Sequence, residues 1–185
     1  MADRAEVAGA VVRAYVDELR ALHVLEEVRP LLSPEAAQLL DKPPLPVSWV
    51  EVRLAHAPLV ALAQVRGRDE VRALARRVVS GKLGAVLRPL LATTLRLFGA
   101  TPATLFSRLD TLTSVMLRGV GFSWTAAGAT SGTVAIEYPY PVDDALFATW
   151  EGMLHFGFDL AQATGTVART RVQEGSRRGE VNLSW

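Results

Sequence analysis

Apolar positions recur every three or four residues through the first two-thirds of this chain and every second residue through much of the last third. In residues 4–28, Val7, Val11, Ala14, Tyr15, Leu19, Leu22 and Leu25 fall on one helical stripe, with Arg4, Glu6, Arg13, Asp17, Arg20 and Glu27 elsewhere. That spacing predicts a long amphipathic helix. Ser33-Pro34-Glu35 is a hydroxyl cap followed by a proline where no amide donor is needed, and it opens a short helix that ends between Asp41 and Pro46. The next helical segment, Val47 to Arg66, contains Pro58, which predicts a kink or break near His56. Residues 69–98 carry Val71, Leu74, Ala75, Val78, Val79, Leu83, Val86, Leu87, Leu90, Leu91, Leu95, Leu97 and Phe98, interrupted at Gly81, Gly84 and Pro89. This is too apolar for a surface helix and predicts two core helices, with Gly99 as the stop. Thr101-Pro102 then starts a helix reaching about Met116.

From residue 118 the period changes to two. Val120, Phe122 and Trp124 share one face of a strand, and Val134, Ile136 and Tyr138 share one face of its return, around a turn at Gly128–Gly132. Pro139 and Pro141 lack ladder donors, so pairing should stop or bulge there. A helix over 142–164 follows, opened by Asp143 and Asp144 and striped by Phe147, Trp150, Leu154, Phe158 and Ala161, with Gly165 just past its end. Val167–Val172 and Val181–Trp185 form a second hairpin around Gly175–Gly179. The pattern predicts an α+β fold and one domain over 1–185: a helical half of five or six helices (1–117) packed on an antiparallel ββαββ half (118–185).

Composition narrows the function classes. At 185 residues a full core is available, and a net charge of +1 provides no field for nucleic acid or an anionic membrane. With no cysteine, disulfides, thiolate metal sites and cysteine nucleophiles are excluded. Acids at Asp3 and Glu6 interrupt any signal-peptide pattern, and no apolar run reaches the ~18 residues of a membrane span, so a soluble cytoplasmic protein is expected. Mean hydropathy of +0.21 and the aromatic helix suggest an apolar cavity or a buried dimer face.

The bent helical half, the strands Arg118 to Trp124 and Val134 to Tyr138, the helix Trp150-Glu-Gly-Met-Leu-His-Phe-Gly157 and the ending Val181-Asn-Leu-Ser-Trp185 together resemble a myxobacterial paralogous family of unknown function. That family is related to the ligand-binding domains of haem nitric-oxide sensors, vinyl-reductase-type domains and a vesicle-tethering subunit. The resemblance implies an α+β module with a hydrophobic pocket between helices and sheet, often dimeric. The haem sensors carry a Tyr-x-Ser-x-Arg pattern for the propionates, which is missing here, so haem is disfavoured and no cofactor is expected.

Candidate chemistry is sparse. Phe122, Trp124, Trp150, Leu154 and Phe158 are the candidate pocket lining, with plain core as the competing reading. Glu151, His155 and Asp159 stand in line on one helix face, a weak metal or proton-relay candidate that equally describes a solvated face with local charge pairs. His56 reads as a structural histidine and His23 as surface. Arg68, Arg72 and Arg76 form a basic stripe that reads as solvated, since no recognition helix accompanies it. Gly119-Val-Gly121-Phe-Ser123 completes neither a phosphate loop nor a nucleophile elbow and is read as a bulge or close approach. No nucleophile, base and orienting group come together in the sequence. The function expected is non-catalytic ligand sensing or regulation through an apolar pocket, with a small apolar ligand and a homodimer or protein partner. The alternative is a structural interaction module using the helix faces of 71–98 or the hairpin edge.

Overall fold

The computed structural model describes residues 4–81, 83–85, 101–172 and 175–185. The first surprise is a strand. Glu6–Ala8 (β1) lies between Trp49–Glu51 (β2) and Leu117–Arg118 (β3) in a small antiparallel sheet. The expected helix from residue 4 therefore begins only at Gly9, runs as α1 to Ala21, and resumes as α2 over Leu25–Val28. Ala5, Val7 and Ala8 are all buried, and burial on both faces decides for strand over helix here.

Pro34–Asp41 forms α3, with the Ser33 hydroxyl accepting from the Ala36 amide at 3.2 Å, as its sequence predicts. Val52–Arg66 is α4, which passes through Pro58 without the expected break; Ala55, Leu59 and Leu62 are buried on either side of the proline and hold the helix in place. Arg68–Ser80 is α5, ending at Gly81. Lys82 and the positions Val86, Leu87, Pro89, Leu90, Leu91, Leu95, Leu97, Phe98 and Gly99 lie outside the described residues. The helix expected from Pro102 to Met116 is two short ones, Pro102–Phe106 (α6) and Leu109–Thr113 (α7). The Ser107 hydroxyl donates to the Thr104 carbonyl at 2.9 Å and the Arg108 amide to Leu105 at 3.1 Å, closing a tight turn between them.

Gly121–Gly128 (β4) and Ser131–Glu137 (β5) form the first hairpin, with Phe122 opposite Ile136 and Trp124 opposite Val134. Pairing stops at Glu137, just before Tyr138-Pro139, as the proline argument requires. Asp144–Ala161 (α8) is capped by the Asp143 carboxylate, which accepts from the Ala145 amide at 2.8 Å. The second hairpin is broken on one side: Thr166–Val167 (β6) and Arg171–Val172 (β7) both pair with Arg178–Ser184 (β8). The larger sheet thus runs β4-β5-β8-β6, antiparallel throughout, with β7 also on β8.

Helix α8 sits in the middle. Its stripe of Phe147, Trp150, Leu154 and Phe158 is buried, with Phe147 edge-on to Tyr138 of the sheet side, while its opposite side packs along α5 through Gly152. A Cβ on Gly152 would overlap the Arg72 carbonyl oxygen and stand 2.9 Å from the Ala75 Cβ, so the close helix approach needs a glycine there. Fully buried side chains such as Leu59, Leu74 and Phe147 contribute about 1.5–3 kcal/mol each. Gly119 lies at φ 73°, and a Cβ there would overlap the Arg4 carbonyl oxygen; the close approach is made by the segment before β1, and at Gly121 the nearest atom is 4.0 Å away.

Candidate functional site

The helices line a partly open apolar recess of about 80 Å³. One wall is α8, whose Trp150, Met153, Leu154, Gly157 and Leu160 repeat at helical spacing toward it. Val79 of α5 closes one end. The other walls are Leu105 and Phe106 of α6 and Leu109, Leu112 and Thr113 of α7. Each of those two helices is tied locally: Thr101 caps α6 by accepting from the Thr104 amide at 3.2 Å, and Thr113 of α7 donates its hydroxyl to the Leu109 carbonyl at 2.7 Å. The recess therefore lies among helices rather than between helices and the sheet.

A second chamber of about 30 Å³ adjoins it. Thr113, Met116, Trp150 and Met153 line both spaces. The inner one is also walled by Tyr15 of α1, His56 of α4 and Thr149 of α8. Tyr15 and His56 meet edge to face with ring centroids 6.0 Å apart. The Tyr15 hydroxyl and the His56 Nδ1 are buried without a hydrogen-bond partner. Burial pushes the Tyr15 pKa well above the ordinary phenol value, helped by neighbouring Tyr138 and opposed by the Thr149 hydroxyl, and lowers that of His56 to about 4. Both groups are neutral at pH 7.

Trp150 and Leu154 of the expected pocket residues line the recess; Phe122, Trp124 and Phe158 do not appear among its described walls. Phe122 packs edge-on to Trp150 with centroids 4.7 Å apart, and Trp124 and Phe158 join Phe106 and Trp185 in a ring cluster at 5.2–6.3 Å. The Trp150 indole donates to the Tyr138 hydroxyl at 2.8 Å, which fixes its orientation at the recess.

The row Glu151, His155, Asp159 runs from core to solvent. Glu151 is completely buried rather than solvated. Its carboxylate accepts from Arg68 Nη1 at 2.8 Å and Nη2 at 2.5 Å, and from the Thr170 amide at 2.5 Å and hydroxyl at 2.7 Å. Three of these bonds fall on Oε1 and one on Oε2, and the Arg68 guanidinium spans both oxygens, so the carboxylate serves as the partner of a buried cation rather than as a metal ligand. The Nε2 of His155 lies 3.1 Å from Arg72, and Asp159 is exposed. Among the described residues no three histidine or acidic side chains are grouped to hold a metal ion.

The basic stripe is likewise not a solvated face. Arg68 is only 13% exposed and bridges Asp144, at 2.6 Å, to Glu151, and Arg72 donates to the Val167 carbonyl at 2.8 Å; Arg76 alone of the three is exposed. Sequence reasoning missed this cluster, although a signal existed: Arg68 continues the buried line of Val71, Ala75 and Val78 and so needed a buried anion. His23 is exposed at φ 55°, as expected of a surface residue ending α1.

The roomier grooves are of another character. One of about 710 Å³ is lined by Asp143, Asp144, Arg169, Thr170 and Arg171 and is open and polar. No described helix is long and apolar enough to cross a membrane.

No family model matches this chain, and no curated protein does. Solved structures match over almost its full length. An Fe(II) unliganded H-NOX protein from K. algicida superposes with a TM-score of 0.68 at 10% identity, covering 96% of this chain and 95% of that one; a mutant of it reaches 0.70. An oxygen-binding H-NOX domain related to soluble guanylate cyclases, in its oxygen complex, gives 0.58 at 12% identity, covering 96% and 94%. The chain has the fold of H-NOX domains, and at these identities the likeness is one of fold.

Proposed function

We propose that this chain is a non-catalytic sensing or regulatory domain that holds a small apolar ligand in the recess between α5, α6, α7 and α8. The recess carries this reading: its described walls are almost wholly apolar and contain no charged side chain, and it opens beside the helix that couples α5 to the sheet. The H-NOX structures that share the fold include an oxygen-binding domain, which supports small-ligand sensing as the role.

Haem does not fit the described residues. The apolar spaces, about 80 and about 30 Å³, are far below the ~300–1,000 Å³ of pockets for larger ligands, and the broad groove is polar. Of the chain's three histidines, the residue type that holds haem iron in many proteins, His23 is on the surface, His155 is held against Arg72, and His56 faces only the smaller chamber. Tyr138-Pro139-Tyr140 offers no propionate clamp. We therefore read the domain as haem-free.

The test is a purified sample, screened by mass spectrometry for co-purified small molecules and by thermal shift against small apolar compounds. Stabilisation by one class supports the reading, and no bound molecule with no shift across the panel would refute it.

A second reading, assembly as a homodimer, is favoured by β4. It is the outermost strand of the larger sheet among the described strands, and Gly119 to Gly132 contains no charged residue and no proline to discourage edge pairing. Sedimentation at micromolar concentration discriminates: a dimer that Thr125→Lys dissociates supports this role, and a monomer excludes it.

A further inference from the structure

We propose that the two adjoining chambers form one site for a small neutral amphipathic molecule, an aliphatic ketone, aldehyde or alcohol, with its hydrocarbon end among Leu109, Leu112 and Leu160 and its oxygen toward Tyr15 and His56. This rests on the ligand-binding reading above and specifies the chemistry of the ligand.

The polarity of the walls sets the orientation. The outer chamber is apolar, and Thr113, Met116, Trp150 and Met153 are shared with the inner one, so the two are stages of one path. At its far end two buried polar atoms, the Tyr15 hydroxyl and the His56 Nδ1, lack partners. Buried polar groups are nearly always bonded, so a neighbouring pair without partners marks a place where something else supplies the bonds. Thr113 and Thr149 give their hydroxyl protons to the Leu109 and Leu146 carbonyls at 2.7 and 2.6 Å, so Thr149 can meet the neighbouring Tyr15 hydroxyl only as an acceptor; no bond of hydrogen-bond geometry joins the two, and the Tyr15 proton can turn to a ligand oxygen instead.

The same walls set the charge and the size. No described lining residue of either chamber is charged, and burial keeps His56 neutral, so an ionised head group would be desolvated with no counter-ion. The chambers measure about 80 and about 30 Å³. A cavity of ~150 Å³ takes benzene, so this site suits a molecule of about four to six non-hydrogen atoms.

Chemical-shift titration of the whole chain at pH 7 with 2-butanone, cyclopentane and propanoate tests this, since the three match in size. Binding of 2-butanone about three- to tenfold tighter than cyclopentane, with no binding of propanoate, is the expected result. Tyr15→Phe should then bring 2-butanone level with cyclopentane. Met153→Trp, which fills the junction of the chambers, should abolish 2-butanone binding and serves as the independent variant if Tyr15→Phe melts early. Equal binding of 2-butanone and cyclopentane, unchanged in Tyr15→Phe, would overturn the amphipathic site and leave the apolar-ligand reading standing. Binding of neither overturns both.

Discussion

At the residue scale, two buried ionisable groups govern how the chain responds to acid. His56, 4% exposed, has its pKa lowered from 6.5 to about 4 by burial. The folded imidazole stays neutral while the unfolded one takes a proton below 6.5, so stability is lost as pH falls from 6.5 toward 4, by up to about 3 kcal/mol at ~1.4 kcal/mol per pH unit. His56→Leu should flatten that part of the pH profile in melts at pH 7, 5.5 and 4.5, leaving the smaller slope of His155, which burial, Arg76 and Arg72 depress in the same direction. Glu151 is governed by opposing forces. Burial raises its pKa, but the Arg68 and Thr170 bonds outweigh it, and the net shift is downward. Its contribution is therefore complete at neutral pH and lost as pH falls below the ordinary carboxylate range. Arg68→Met leaves the Glu151 carboxylate buried without its cation and should cost about 3–5 kcal/mol in urea unfolding, whereas Arg68→Met with Glu151→Met should cost less than that single change, because no buried charge is left alone.

At the element scale, the seam between α5 and α8 limits what the helices tolerate. Gly152→Ala sets a methyl against a backbone carbonyl that cannot turn aside, and should cost about 1–3 kcal/mol or more. Gly157→Ala meets the Phe106 ring at 2.7 Å, a side chain able to shift, and should cost less; a ranking reversed in denaturant midpoints would show that the seam is looser than described. The elements legible in the sequence are those whose period repeats over several turns or pairs: α5, α8 and the β4–β5 hairpin. Strands β1, β2 and β3 are two or three residues long and come together from positions near 6, 50 and 117, so no local period marks them. The α6–α7 break was hidden for a related reason, since Ser107 and Arg108 make turn bonds without glycine or proline as a marker.

At the scale of the whole molecule, the order of helices followed by ββαββ identified the architecture, because each half buries its apolar face on the other. The site was less legible. Trp150 and Leu154 share a stripe with Phe158, and periodicity alone does not tell which ring fills the core and which borders a space. That depends on α6 and α7, whose sequences gave no reason to place them opposite α8. Hemin added to the purified chain should yield no stoichiometric complex and no sharpened Soret band; a stable one-to-one complex would mean that the helices open far beyond the spaces described.

The interruption between β6 and β7 has a further consequence. Residues at a sheet margin ordinarily trade their amide protons with water sooner than those within, but the Thr170 amide points inward onto the Glu151 carboxylate. Deuterium should reach it only when the entire chain unfolds, so a peripheral position becomes a clock for global opening.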